Sequence, residues 1–350
     1  MKKILFLAAL CLIALVGTAN NYREDGGHYR CEANRTIEKT FDVSEKSALD
    51  LEGNFSDFII TAWDQQQIDF LVKITVKGDD NKKVEAKFKS IDVEFEQVGN
   101  KVIAKTVFGD YKYKTFNGTL SIKYYVKVPR DVAMDLQAKY GDITIDEANT
   151  KLSVELKYGD FKANNITIND IDNKSIEVKY GNVNIDNVNQ IGLWLDYGDA
   201  KINTCDYIDT EVKYGKIFIT DLNRGVLEIK YSNARIDNVD KITFNDAAYS
   251  DIKVRNLKNK LTADMRYSDL TATVSTLVPN IDIEGAYSDV LLYLNDNASF
   301  DYDLRASYGD ITFKGFFDTK SIAGKGHYGD GESGSLDISV RYGDVDIRRN

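Results

Sequence analysis

Proline is almost missing from this chain. Its 350 residues include two, Pro129 and Pro279, against 24 glycines, which excludes collagen-like and proline-rich linker architectures. Histidine is equally scarce, with His28 and His327 alone, and cysteine occurs three times. That leaves little material for zinc sites or for a histidine-based triad. What is present is ordinary for a folded chain. Hydrophobic residues are 43% and charged residues 29%, so neither a disordered chain nor a multi-span membrane protein fits.

Residues 1–19 read as a secretory signal peptide. Lys2 and Lys3 precede the apolar run Ile4–Val16, and Gly17 and Ala19 are the small residues before a cleavage site. The run is too short to span a bilayer. Cys11 has no small residue before it, which argues against a lipid anchor. Cleavage lowers the 45 basic residues to 43 against 55 acidic ones, a net charge of −12. That balance argues against nucleic acid or anionic membrane partners, which need basic patches. No membrane insertion is expected once the signal is removed. The expected location is exported: periplasm, cell surface or secreted. Cys31 and Cys205 remain, too few for a disulfide scaffold. Two unpaired thiols are expected, and a Cys31–Cys205 bridge stays open.

A repeat organises the rest. Tyrosine followed by Gly or Ser, and then by Asp or Asn in all but one copy, recurs twelve times: Tyr140, Tyr158, Tyr180, Tyr197, Tyr214, Tyr231, Tyr249, Tyr267, Tyr287, Tyr308, Tyr328 and Tyr342. The intervals are 18, 22, 17, 17, 17, 18, 18, 20, 21, 20 and 14 residues. Apolar residues alternate with polar ones before each tyrosine, as in Val154-Glu155-Leu156-Lys157. Alternation resumes after the pair, as in Val183-Asn184-Ile185. Period two marks half-buried β-strands. The apolar set changes parity across the pair, so a corner at Gly/Ser-Asp/Asn is needed to keep one interior. Glycine is the residue expected to take the unusual dihedrals there. Two strands and two polar turns per copy make one coil of a parallel β-solenoid, of single-stranded β-helix type with about 17–22 residues per coil. Twelve coils about 4.8 Å apart would build a rod on the order of 55 Å.

The pattern also occurs upstream, with Phe55 in the tyrosine slot of Leu49–Ile60. The runs Asp69–Val76, Val84–Phe95, Val102–Phe108 and Ser121–Val128, separated by turn signals, predict antiparallel hairpins. The expected organisation is a flexible tail over 20–36, a first coil over 37–62, an antiparallel β insertion or cap over 63–130, and a solenoid over 131–350. The Gly-rich stretch Gly324–Gly331 and the final 14-residue interval predict a degenerate C-terminal cap.

The signal-like start, the early β segment, the Val128-Pro129 step and the run of Tyr-Gly-Asp-Ile-Thr-Ile-like coils together resemble the bacterial cell-envelope family called putative adhesins, including the head domains of autotransporter adhesins. The resemblance covers most of 37–350. It implies an all-β solenoid and carries no catalytic residue to transfer.

The tyrosines share parity with the inward apolar residues, so they are expected inside, as a structural ladder of rings stacked coil on coil. An exposed strip stacking on sugars is the competing reading. The acid row, Asp142, Asp160, Asp199, Asp251, Asp269, Asp289, Asp310, Asp330 and Asp344, has Asn182, Lys216 and Asn233 in the same slot. Turn closure by Asx side chains explains it better than calcium, because Lys216 spoils a metal row. Trp194 falls on an outward offset and is a candidate ligand contact. His327 lies near Asp330 and Ser333, but a triad needs a geometry that sequence does not show. No metal, cofactor or catalytic residue is assigned.

These readings favour a non-enzymatic, exported cell-envelope binding or adhesion scaffold, with an unknown glycan or envelope protein as partner. A structural or assembly protein docking an envelope partner is the first alternative. A carbohydrate-active β-helix enzyme is the second. An exposed aromatic strip would favour the first reading, an uncapped end the second, and acids converging with a basic residue in a groove the third.

Overall fold

A computed structural model describes residues 29–44, 46–168, 175–316, 319–321, 323–330 and 332–350. The expected signal peptide, His28 and the start of the tail lie outside these residues. Among the described residues, no helix is long and apolar enough to cross a membrane. The fold is a nearly all-β solenoid with a largely antiparallel insertion. The chain divides into two compact units, 1–163 and 164–350.

In the first unit, two layers face each other. One layer places strand Ala48–Asn54 parallel to Ala133–Lys139, which is parallel in turn to Leu152–Lys157. In the other, Ser56–Trp63 runs parallel to Ile143–Ala148. The insertion widens both layers. Lys101–Phe108 joins the first beside Ala48–Asn54 and pairs antiparallel with Ile91–Val98. Gly118–Pro129 joins the second, followed by the antiparallel strands Gln67–Gly78 and Cys31–Asp42. Leu49, Leu51 and Leu136 from one layer and Phe58, Ile60 and Val126 from the other are at most 2% exposed. Inside this core the Thr106 hydroxyl lies 2.6 Å from Tyr124 Oη and 3.1 Å from Ser56 Oγ, so three buried hydroxyls satisfy one another.

Three expectations fail here. The stretch 31–36 is not a tail: it opens strand Cys31–Asp42, whose twelve residues pair with Gln67–Gly78. That strand belongs to the insertion sheet, so the first coil starts at Ala48 and not at residue 37. And 81–89 is a helix, not a strand. Val84, Ala86 and Phe88 fit alternation, but Val84 and Phe88 also fit helical i, i+4 spacing. Lys, Glu and Ala favour the helix, and the Asp80 side chain caps it by accepting from the Lys82 and Lys83 N–H groups.

In the second unit the coils stack in parallel. Val183–Asp196, Asp199–Lys213, Lys216–Lys230, Asn233–Ala248 and Asp251–Arg266 pair each with the next. The connectors, expected as polar turns, stay in the ladder: Asn187 pairs with Thr204, and Val188 with Cys205. Asn and Asp side chains bridge coils there, as in Asn238 to Asp221 at 2.9 Å and Asn256 to Asn238 at 2.9 Å. The extra residue of the 18-residue copies is absorbed by register shifts, one of them after Leu227.

The C-terminus departs from the expected cap. Gly334–Arg341 and Val345–Arg349 form a full coil inserted out of chain order. Gly334–Arg341 pairs in parallel with Asn280–Ala286 on one side and with Phe300–Ser307 on the other. Val345–Arg349 likewise lies between Val290–Leu294 and Ile311–Lys314. Coil 300–314 is therefore outermost, and its strands pair antiparallel with Thr319–Ser321 and Ala323–Tyr328. The glycines of Ala323–Tyr328 make room for the Tyr302 ring, because a Cβ at Gly326 would sit 2.7 Å from Tyr302 Oη.

Candidate binding surface

Each corner is made by the tyrosine. Tyr197, Tyr214, Tyr231, Tyr249, Tyr267 and Tyr287 have φ between 51° and 57°, and Phe55, Tyr140, Tyr158, Tyr180, Tyr308 and Tyr342 also lie in the left-handed region. Glycine at these corners does not take that conformation. A left-handed residue breaks the alternation at its own position. The ring thus turns outward, although its parity matches the core. The expectation of inward tyrosines fails for this reason: Tyr214 is 49% exposed and Tyr231 53%.

The expected ladder nevertheless forms, outside. In the first unit Phe55, Tyr140 and Tyr158 stack at 5.0 and 4.9 Å. In the second, the rings from Tyr180 to Tyr287 stack at 4.7–5.2 Å with interplanar angles of 3–8°. The order then follows the inserted coil: Tyr287 on Tyr342 at 4.8 Å, and Tyr342 on Tyr308 at 4.7 Å. Tyr328 is not part of the row. It ends a hairpin strand, stacks on Phe300 at 5.5 Å and bonds Arg349.

The residue after each tyrosine explains why it must be small. A Cβ at Gly198 would lie 1.8 Å from Gly181 O, and one at Gly215 1.8 Å from Gly198 O. Ser232, Ser250, Ser268 and Ser288 are buried instead. The Ser250 and Ser268 hydroxyls accept the N–H of the preceding serine at 3.3 and 3.0 Å, and Ser288 Oγ accepts from Ser268 N at 3.1 Å. From Tyr180 to Tyr287 the widest ring spacing, 5.2 Å between Tyr214 and Tyr231, falls where the glycine block meets the serine block.

The acid row also works between coils and does not close its own turns. Asp160 N–H donates to Asp142 Oδ1 at 2.9 Å, Asp199 to Asn182 at 3.0 Å, Asp289 to Asp269 at 3.1 Å and Asp344 to Asp289 at 2.8 Å. An amide oxygen accepts as a carboxylate does, so Asn fits the slot. Asp330 is outside this row because Tyr328 is.

Trp194 is half-buried in Val183–Asp196, across from Glu211. Cys31 and Cys205 are free thiols. Burial pushes the Cys205 thiol up to about 12, which makes it unreactive. His327 Nδ1 lies 3.0 Å from Asp301 Oδ1 and 3.3 Å from Ser333 Oγ, while Nε2 faces Gly329 O at 2.7 Å. Aspartate and serine meet the same nitrogen, so no proton relay runs between them. The Asp301 carboxylate, then the Gly329 carbonyl, raise the His327 pKa above its ordinary value. A raised pKa in the folded state means that the stabilisation is complete below the unfolded value near 6.5 and is lost as pH rises through the folded one. Hydrogen exchange in Ala323–Tyr328 should therefore quicken above that range more than intrinsic chemistry predicts, and His327→Gln should remove the excess.

The ladder's energetics follow from its geometry. Tyr214 stacks on both sides, at 4.7 and 5.2 Å, and each stack contributes about 0.5–1.5 kcal/mol. Tyr214→Ala should cost about 2–3 kcal/mol by urea denaturation, below the roughly 3–5 kcal/mol of a buried ring. Tyr214→Gly should be about 1 kcal/mol less damaging than Tyr214→Ala, because glycine takes the left-handed conformation without penalty. An alanine variant as stable as the glycine variant would contradict this account.

One groove of about 220 Å³ in the second unit is lined by Asp206, Asp221, Asn223, Asn238, Asp240 and Lys258 among others. Asp221 is already engaged by Asn238.

Comparison with known proteins bears on this architecture. The chain is similar over most of its length to solved structures at low identity. A putative cell adhesion protein from Clostridium sporogenes shares 10% identity over 90% of this chain and 100% of its own, with a TM-score of 0.20. A putative adhesin from Parabacteroides merdae shares 10% over 73% and 95%, with a TM-score of 0.39. Another from Parabacteroides distasonis shares 13% over 74% and 97%, with a TM-score of 0.41. No curated protein matches. Residues 186–348, the stacked coils of the second unit, match the family model of Toastrack DUF4097.

Proposed function

We propose that this chain is an exported cell-envelope binding or adhesion scaffold, and that the tyrosine row holds an extended glycan. The observation that carries the reading is the exposed hydroxyl row. Stacked rings cover one another's faces, so the row offers ring edges and phenol hydroxyls and not flat platforms. Among the described residues, the hydroxyls of Tyr197, Tyr214, Tyr231, Tyr249, Tyr267 and Tyr287 make no hydrogen bond. Each is a donor and an acceptor, repeated at the 4.7–5.2 Å ring spacing. A partner that repeats polar groups along an extended chain meets that row; a hydroxyl-rich polysaccharide is such a partner. The signal-like N-terminus supports export. The antiparallel strands over coil 300–314 cover an edge that an assembly protein would leave bare.

The test is glycan retention by the mature protein and by a Tyr231→Phe, Tyr249→Phe, Tyr267→Phe triple variant. Phenylalanine keeps the stack and removes the hydroxyls. Retention should fall roughly tenfold or more if buried polar pairs are lost. Equal retention by the triple variant overturns the reading. A second reading, glycan cleavage, draws on Asp206, Asp240 and Lys258 in one groove. New reducing ends that vanish in Asp206→Asn or Asp240→Asn would establish it.

A further inference from the structure

Lysines gather in the first unit where the acidic composition gives no sign of them. Helix Asn81–Lys89 carries Lys82, Lys83, Lys87 and Lys89, and the adjoining loop 109–117 carries Lys112 and Lys114. Their ammonium groups meet rings. Lys87 Nζ lies 5.3 Å from the centroids of both Phe108 and Tyr111. Lys83 and Lys112 lie 5.9 and 5.2 Å from Tyr113. Elsewhere in this unit single lysines also lie over rings, as Lys73 does over Tyr125 and Lys127 over Trp63, but others face carboxylates, as in Lys101 with Asp50 at 2.5 Å and Lys105 with Glu52 at 2.7 Å. In the patch only Lys89 does so, reaching Glu85 at 4.0 Å. Among the described residues, the other five have no ion pair. Asp80 is occupied as the helix cap, which leaves Asp79 and Asp110 as the nearby acids in sequence.

We infer that this patch binds an anionic polysaccharide, one bearing carboxylate, sulfate or phosphate groups along a hydrophilic chain. Five cations without counter-charges, on a protein of net charge −10, form a local positive field that a polyanion neutralises. Rings hold three of the ammonium groups in place, so less side-chain freedom is lost on binding. The same rings argue against the other polyanions. Tyr111, Tyr113 and Phe116 are half-buried, which leaves little apolar surface to insert at a bilayer interface. Lysines lie over Tyr111 and Tyr113, where nucleic-acid bases would stack. The inference is independent of the tyrosine row and stands if that reading fails.

The test is binding of the mature protein to dextran sulfate, with neutral dextran and anionic phosphatidylglycerol vesicles as comparators. Dextran sulfate should bind at low salt, weaken steeply as salt rises, and lose roughly tenfold or more in affinity in Lys82→Glu, Lys112→Glu, Lys114→Glu. Lys112→Glu, Lys114→Glu alone, confined to the loop, should lose a smaller part and guards against misfolding of the helix. Lys253→Glu, an exposed change in the second unit, should have no effect. No binding by the wild type, or equal binding by the triple variant, overturns the inference. So does binding to the vesicles without binding to dextran sulfate, which would assign the patch to a membrane surface.

Discussion

Gly198→Ser should destabilise the second unit by about 2–3 kcal/mol, while Gly215→Ser should be nearly neutral, although the two residues occupy the same corner of adjacent coils. A Cβ at either meets the preceding glycine's carbonyl oxygen at 1.8 Å. Overpacking of that kind costs about 1–3 kcal/mol unless the backbone moves. Serine is nonetheless native from Ser232 to Ser288, where each hydroxyl accepts an N–H from the coil before. The cost sits at the boundary, and the 5.2 Å ring spacing between Tyr214 and Tyr231 is where the coils part to accommodate it. Gly215→Ser moves that boundary by one coil and adds a member to the serine ladder. Gly198→Ser leaves the existing boundary in place and creates two more inside the glycine block, with Gly181 and with Gly215. Stability in stacked repeats is a sum over neighbouring coils, so boundaries add. Urea denaturation of the two variants checks this. Equal losses would show that each glycine is required for itself and that no boundary moves.

That distinction bears on what a sequence of this kind discloses. The tyrosine spacing set the coil, and the coil was found. The parity rule then placed the rings inside, because parity counts residues and assumes that each one continues the strand. A left-handed residue does not, and glycine beside it looked the more suitable bearer of that conformation. The stacked rings compensate for a backbone choice costing about 1–2 kcal/mol at each tyrosine. Helix 81–89 was hidden because Val84 and Phe88 satisfy two periods at once and Ala86 completes the alternating one; Asp80, a capping residue just before it, was the signal to weigh. The lysine patch was hidden by averaging. A net charge of −10 says nothing about where 45 cations lie. The row of tyrosines was legible as a ladder, but its exposure, and hence its candidacy as a binding surface, was not.

Chain order hid the last feature, and it yields the largest expected effect. Ile338→Asp should cost 5 kcal/mol or more and should unravel coils on both sides of its own. Ile338 is fully buried and pairs with Ile283 on one side and Leu304 on the other. Leu336, Val340, Val345 and Ile347 of the same coil are at most 2% exposed, so the new carboxylate meets aliphatic neighbours along its own strands. An unpaired buried charge belongs to the severe class of substitutions, and whole domains are stable by only about 5–15 kcal/mol. Were 334–349 the outermost coil, the damage would stop there, since each repeat contacts only its neighbours. It is interposed, and coil 300–314 docks on the rest of its unit through it. Hydrogen exchange should therefore show lost protection over 300–328 as well as 334–349, with the coils up to Arg266 still protected. Asp337→Asn, on the outward face one residue away, should leave the pattern as it was. Loss confined to 334–349, with coil 300–314 still protected, would mean that the outer coil can close directly onto Asn280–Ala286, Tyr308 taking the place of Tyr342 on Tyr287, and that the inserted coil is dispensable.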